Sequence, residues 1–369
     1  MRPPLLALGM MSGTSADGLS LALGEFTPQT FKLRAYRTIP YPAALTAKIT
    51  GALSLKTSEL SRLNFELGHF FADQAGAFLK KTGTSSKKVT VIGSHGQTVY
   101  HGPDDSPANT LQIGEPSCIA EKTGIPVVAD FRPRDIAAGG EGAPLMPFFD
   151  QYFFSEKYGR ALQNIGGIAN VTFVKKGLPP LAFDNGPGNA LMDAAVRHFT
   201  KGRKAFDKNG ALARRGKILP DLFSKLQRQP YFKRRPPKST GKELFCEEMI
   251  PAAFWKFGPE DILATLTLFT AWSIADSYWR FAPYKIREVI VSGGGALNPV
   301  LMAHLKDLLQ PAKVLSAESL GLPAQAKEPL AFAFFALRAI QGQVNHLPET
   351  TGARRACILG KIIPENPVR

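Results

Sequence analysis

The chain has 369 residues, 44% hydrophobic and 20% charged, with a mean hydropathy of -0.07, an ordinary globular balance with length for two domains. No window approaches about 18 uninterrupted apolar residues, which excludes a membrane span, and three scattered cysteines, Cys118, Cys246 and Cys357, supply neither a disulfide framework nor a CxxC motif. The formal net charge of +15 is the one unusual value, and it raises a nucleic-acid reading that its placement has to answer.

In chain order, the opening MRPPLLALGMMSGTS lacks a charged region, a long apolar core and a cleavage site, so it reads as a first strand and not as a leader. The expected compartment is the reducing cytoplasm. Apolar runs at 5–8 and 19–26 flank the polar turn Met11-Ser12-Gly13-Thr14-Ser15-Ala16-Asp17-Gly18, a β-hairpin with an oversized tip. Residues 64–81 predict a helix closed by Lys80, Lys81 and Gly83. A buried strand at 89–93 runs into Ser94-His95-Gly96-Gln97-Thr98, and 126–130 is strand-like, followed by a loop over 131–147.

Strands at 161–164 and 171–174 flank Ile165-Gly166-Gly167-Ile168-Ala169-Asn170, repeating the form of the first hairpin about 150 residues later. Residues 181–183 lead into the turn Asp184-Asn185-Gly186-Pro187-Gly188-Asn189 and a helix at 190–199. The segment 201–242 carries fourteen bases against two acids, +12 of the +15. No RNP-like, zinc-finger or heptad pattern accompanies it, so it reads as a solvated helix-and-loop surface with at most salt-sensitive polyanion binding. Phe206, Phe223, Tyr231 and Phe232 suit core anchors as well as stacking platforms. Helices follow at 261–280, 299–309 and 328–340, with a strand at 289–291 ending in Ser292-Gly293-Gly294-Gly295. The fold class is α/β: mixed sheets flanked by helices in two lobes around a central cleft. The first lobe spans 1–130, the second 131–340, and a C-terminal helix at about 341–369 packs back on the first.

Glycine tips let backbone N–H groups converge on an anion without a Cβ in the way. One such turn is explained by hairpin geometry alone; two matching hairpins and the 292–295 turn point to a nucleotide. No GxxxxGK[ST] motif occurs, and Gly293-Gly294-Gly295 does not continue as GxGxxG. Asp17 offers a carboxylate to Mg²⁺, an ion that takes few carboxylates beside phosphates. Asp184, at a strand end, is the leading functional acid. Asp130 and Glu328 read equally as site residues or as turn and helix-start acids. His95, between glycines, is a better polar contact than His69 or His304 on helix surfaces. Without ligand spacing around any histidine, a zinc site is not expected.

MSGTSADGL (11–19), SHGQTVYHGP (94–103), LQIGEPSCIA (111–120), VVADFRPRDIAAGGEGAPLMP (127–147), NIGGIANVTF (164–173), FDNGPGNALMDA (183–194), PPKSTGKELF (236–245), VSGGGALNP (291–299) and TGARRACILGKI (351–362) together resemble one family, the anhydro-N-acetylmuramic acid kinases of the sugar-kinase/Hsp70/actin class. The resemblance implies an ATP- and Mg²⁺-dependent enzyme of peptidoglycan recycling, cytoplasmic and homodimeric, with neither a specific nucleic-acid partner nor a membrane. Water adds at the anomeric carbon of 1,6-anhydro-N-acetylmuramic acid, the bridge opens and O6 takes the γ-phosphoryl group. The alternative is a kinase of a non-anhydro amino sugar on the same fold.

By that resemblance Asp184 is the general base. Gly13, Thr14, Ser15, Ala16, Asp17, Gly18, Leu19 and Ser20 cradle phosphates, with Gly166 and Gly167 opposite and Gly293, Gly294 and Gly295 against adenosine. His95, Thr98, Asp130, Arg132 and Glu328 contact the sugar, and Asp17 serves the metal. The chain departs from the family pattern at Ser20 (commonly Asp), Asn185 (commonly Thr), Glu141 (commonly Gln) and Pro329 (commonly Ala).

Overall fold

The computed structural model describes residues 3–13, 16, 18–241, 243–323 and 325–365. In chain order the first elements are β1 (Leu5–Ser12), β2 (Gly18–Phe26), β3 (Phe31–Pro40), α1 (Ala43–Thr50), α2 (Thr57–Lys81), β4 (Val89–Gly102), β5 (Asn109–Ile113), α3 (Pro116–Thr123), β6 (Val127–Ala129), α4 (Phe131–Ala137) and α5 (Met146–Phe154). Then come β7 (Gly159–Ile165), β8 (Ile168–Lys175), β9 (Leu178–Pro187), α6 (Ala190–Thr200), α7 (Pro220–Gln227), α8 (Pro259–Phe281), β10 (Ile286–Ser292), α9 (Pro299–Leu308), β11 (Lys313–Ser316), α10 (Lys327–Ile340), α11 (Pro348–Thr351) and β12 (Lys361–Ile363).

The chain forms two compact units, Met1–Phe153 with Gln325–Arg369, and Phe154–Ala324. These bounds replace the sequence boundaries at 130 and 340. Helix α10 belongs to the first unit because it packs on β1, β2 and β4. The reason is visible in three glycines: a Cβ on Gly9 would lie 1.6 Å from the Pro329 carbonyl oxygen, one on Gly93 2.0 Å from that of Phe332, and one on Gly24 2.5 Å from Leu330. Gly9 and Gly93 are register partners on parallel β1 and β4, so side-chain-free strands make a trough into which α10 sinks.

The first unit's sheet runs β12-β6-β4-β1-β2-β3, with β5 added on β4. β1, β2 and β3 are an antiparallel meander, while β4 is parallel to β1 and β6 parallel to β4. Residues alternate across a strand: Gly9 faces α10, whereas Leu8 and Met10 join Leu19, Leu21 and Leu23 in a core closed by Leu63, Leu67, Phe71, Ala75 and Phe78 of α2. The second unit's sheet runs β11-β10-β7-β8-β9, again a meander (β7, β8, β9) followed by two parallel strands. Its core joins Phe173, Val289 and Val291 of the sheet to Phe269 and Ile274 of α8 and Leu301 and Leu305 of α9. The two matching hairpins are therefore the centres of two sheets with corresponding strand order.

Three other expectations change. The stretch 131–147 is not one loop: α4 occupies its start, with Pro133 in the first turn where its missing N–H costs nothing, and α5 begins at Met146. The C-terminal segment does return to the first unit, but as strand β12, antiparallel to β6, and not as a helix. The turn at Asp184 is the continuation of β9 to Pro187. No helix among the described residues is long and apolar enough to cross a membrane.

Candidate active site

In the second unit the hairpin closes at the pair Ile165–Ala169, leaving a tip that holds Gly166 and Gly167. The tip carbonyls are used structurally: Gly166 O accepts from Asn189 N at 2.8 Å, and Gly167 O from Gly188 N at 2.9 Å and Ala190 N at 3.1 Å. The hairpin thereby meets the start of α6. A Cβ on Gly188 would stand 2.3 Å from Gly166 O, and one on Gly293, at φ 82°, 2.6 Å from Ile165 O. Gly295 packs as tightly, with Ile165 Cγ2 2.3 Å from where its Cβ would be. Gly166, Gly167, Gly188 and Gly293–Gly295 thus converge at one end of this sheet.

Asp184 lies on the same sheet beside a β-bulge. Ala169 pairs with Gly186 and Asn170 with Asp184, so Asn185 is the extra residue, and a bulge re-aims the side chains beside it. Asn185 is fully buried, accepting from Gln163 Nε2 at 2.8 Å and donating to Ser277 Oγ at 2.6 Å. Its departure from the family pattern is accommodated in the core.

Asp184 is held from one loop on three sides. Its N–H donates to Lys238 O at 3.1 Å, its carbonyl accepts from Tyr231 Oη at 2.8 Å, and its Oδ2 accepts from Thr240 N at 2.9 Å. Burial pushes its carboxyl up to about 6, against the opposing pull of the Thr240 N–H and the Lys238 ammonium. Lys238 is 6% exposed, with its ammonium 4.6 Å from the Tyr231 ring centroid, 5.0 Å from Phe281 and 5.7 Å from Phe183. Burial lowers it to about 8, with Asp276 and Asp184 opposing and Arg234 and Arg280 assisting. A carboxylate half-ionised near pH 6 beside a caged ammonium is equipped to take a proton from water.

A cavity of about 370 Å³ adjoins this glycine turn, lined by apolar Leu297, Met302 and Val314 with Lys306, Ser316 and Ser319 at its polar points. Its size and mixed lining fit a purine nucleoside.

In the first unit the hairpin tip is tied to β4. Ser12 Oγ donates to Gln97 Oε1, Gln97 Nε2 donates to Gly13 O at 3.2 Å, and Tyr41 Oη donates to Ser12 Oγ at 2.7 Å. Thr14, Ser15 and Asp17 lie outside the described residues. Ala16 and Leu19 turn their side chains into the core, so only their backbone can serve a phosphate. Gly18 is required where a Cβ would meet Ile39 O at 2.4 Å. Ser20 sits on β2 with its hydroxyl 2.9 Å from that of Thr38 on β3.

His95, Arg132 and Glu328 come together in this unit. His95 donates from Nδ1 to Gly96 O at 2.8 Å, so Nε2 is the acceptor for Arg132 Nε at 3.3 Å and Nη2 at 3.1 Å. Burial, then the Arg132 charge, depress the imidazole to about 3, which keeps it neutral. Burial lowers Arg132 against the pull of Glu328 and Asp135. Glu328, at the start of α10, is solvent-exposed yet surrounded by enough protein to raise its carboxyl, with Lys327 and Arg132 opposing. Thr98, on β4, accepts from Gln112 Nε2 at 3.3 Å. Asp130 pairs with Lys361 of β12 at 2.7 Å.

The sequence reading placed none of Tyr231, Lys238 and Thr240 in the site. One available signal was PPKSTG inside a run of solvated bases. Twelve bases of 201–242 are exposed, whereas Lys238 is buried. Tyr231 and Phe232 are core residues, which removes them as stacking platforms.

Two α/β units of like strand order, each centred on a glycine-tipped hairpin, define the architecture of the sugar-kinase and actin-like class. Residues 5–365 match the family model for anhydro-N-acetylmuramic acid kinase. The chain is 40% identical to the anhydro-N-acetylmuramic acid kinase of Caldanaerobacter subterraneus subsp. tengcongensis over 97% of this chain and 96% of that one. It is 43% identical to that of Streptomyces coelicolor over 98% and 95%. The chain belongs to the anhydro-N-acetylmuramic acid kinase family. Solved structures that align with it include the activator of 2-hydroxyisocaproyl-CoA dehydratase from Clostridium difficile (TM-score 0.47, 13% identity, 91% of this chain, 96% of that one). A ROK family glucokinase from Streptomyces griseus aligns with TM-score 0.40 and 14% identity over 90% and 99%.

Proposed function

We propose that the chain converts 1,6-anhydro-N-acetylmuramic acid and ATP to N-acetylmuramic acid 6-phosphate and ADP, in the cytoplasmic recycling of peptidoglycan. The observation that carries the reading is Asp184: a bulge-aimed, half-buried carboxyl near 6, fixed by the Thr240 N–H and set among the glycine turns of its sheet. Asp184 takes a proton from water as the water oxygen bonds to C1. The C1–O6 bond breaks, and O6 accepts the γ-phosphoryl group. General-base help of this kind is worth about 10²–10⁴ in rate, and the transfer itself relies on positioning and charge stabilisation.

Gly166, Gly167, Gly293, Gly294 and Gly295 are the nucleotide side in the second unit, with the 370 Å³ cavity for adenosine. In the first unit, Gly13 to Ser20 serve the phosphates through backbone N–H groups. His95, Thr98, Asp130, Arg132 and Glu328 are the proposed sugar side: a hydroxyl, two carboxylates and a guanidinium positioned by the neutral His95 imidazole suit hydroxyls and a lactyl carboxylate. Mg²⁺ bound with ATP neutralises phosphate charge, and Asp17 is its proposed contact. The assembly proposed is a homodimer, to be checked by light scattering.

The test is ATP turnover with the anhydro sugar beside N-acetylmuramic acid, run in ¹⁸O-water. One solvent oxygen at C1 of the phosphorylated product is expected. Preference for N-acetylmuramic acid, with no solvent oxygen incorporated during transfer, would support the non-anhydro amino-sugar alternative instead.

A further inference from the structure

Asp135, His346 and Cys357 form an acid–imidazole–thiol row in the first unit. His346 Nδ1 is 2.8 Å from Asp135 Oδ1, and Cys357 Sγ is 3.3 Å from His346 Nε2. The spacing imitates a nucleophilic triad, but the chemistry does not follow. Asp135, His346 and Cys357 are 0%, 1% and 5% exposed. His346 Nε2 already accepts the Cys357 backbone N–H at 2.9 Å, and burial with the Asp135 charge pushes the thiol up. The row is a structural tie whose far end reaches the sugar side.

Asp135 gathers two donors and a close imidazole nitrogen. Thr351 Oγ1 donates to Oδ1 at 2.7 Å and Gly142 N to Oδ2 at 2.7 Å, while His346 Nδ1 stands 2.8 Å from Oδ1 without the alignment of a hydrogen bond. Arg132, one helical turn before Asp135 on α4, donates from Nη1 to Gly142 O at 2.9 Å. The Gly142 residue is therefore gripped on both faces, by Asp135 at its N–H and by Arg132 at its carbonyl. Its φ of 75° is the left-handed region that glycine tolerates. The remaining Arg132 nitrogens are the ones that reach His95 Nε2. The C-terminal segment is stitched alongside, with Glu141 N donating to Thr351 O at 2.7 Å and Arg354 N to Ala138 O at 3.0 Å.

We propose that Asp135, held by Thr351 and packed against His346, is a positioning residue for sugar binding: it fixes the Gly142 peptide against which the Arg132 guanidinium is aimed. The proposal rests on the reading of Arg132 as a sugar contact. Replacing Asp135 by Asn leaves one acceptor oxygen and an amide donor facing donors on either side, so the loop loses its lock without loss of volume.

The test measures KM for the anhydro sugar, KM for ATP, kcat and Tm in Asp135→Asn, Thr351→Val and Arg132→Lys, each in the full chain. Asp135→Asn is expected to raise the sugar KM about tenfold and Thr351→Val about threefold, with ATP KM within twofold of the original. Arg132→Lys is expected to raise the sugar KM more, and Asp135→Asn to add little in that background, because both act through one guanidinium. Arg132→Lys without effect on sugar KM overturns the sugar-contact reading. Arg132→Lys with effect, while Asp135→Asn lowers Tm alone, overturns the positioning role. Should Asp135→Asn fail to fold, Thr351→Val decides on the same split.

Discussion

The backbone N–H of Thr240 donates to the Asp184 carboxylate at 2.9 Å, across 56 residues of chain, and this one bond supports the ionised form of an acid that burial otherwise drives towards neutrality. The balance settles near 6. It has a consequence for stability as well as for catalysis.

An acid whose folded value lies above its unfolded 3.8 holds its proton more tightly when folded. Its contribution to stability is fully present below about pH 4 and is lost as pH rises through about 6. Asp184→Asn removes the buried charge while keeping an oxygen for Thr240. The variant is expected to melt above the parent at pH 7–8, with the difference vanishing near pH 4. Thermal denaturation across that range checks it; an equal or lower Tm at pH 8 would mean the carboxylate is well solvated.

Lys238 supplies the second support for the ionised Asp184 carboxylate. Asp276 and Arg280 of α8 and Arg234 of the same loop face it and remain in its absence. With Lys238→Met the carboxylate loses a nearby cation, so the acid limb of kcat/KM moves to higher pH. The expected loss is about three- to tenfold at pH 6, narrowing above about pH 8, where Lys238 is itself losing its proton. A uniform loss at every pH would assign Lys238 to packing alone.

Two glycine-to-alanine substitutions are expected to have opposite signs. Gly9→Ala drives a methyl group into the Pro329 carbonyl of α10 and costs about 3 kcal/mol, displacing Glu328 with the helix and raising the sugar KM. Gly76→Ala, in α2 with nothing within 4 Å of the added Cβ, gains about 0.5–1 kcal/mol through helix propensity. Urea denaturation of the two variants measures both.

The sequence made local features legible: both hairpins, the helices α2, α6, α8, α9 and α10, and the acid at 184 announce themselves through apolar period and glycine placement. What escaped was non-local. Strand β3 is an edge whose Lys32, Arg34 and Arg37 mask its pairing with β2. Strand β12 is three residues long and exists because β6 offers it a ladder. The Lys238 cage needs Phe183, Tyr231 and Phe281 from three places in the chain, and Asp135 meets His346 across 211 residues. The pairing of Asp130 with Lys361 likewise follows from β12 returning to the sheet.

Product formation by Asp184→Asn decides whether Asp184 activates the attacking water. With anhydro sugar and ATP saturating and nucleotide binding measured on the same sample, phosphorylated product is expected to fall by about 10²–10⁴ while nucleotide affinity stays within a few-fold. A variant that forms product within a few-fold of the parent rate would contradict that role and leave Asp184 as a residue of the bulge alone.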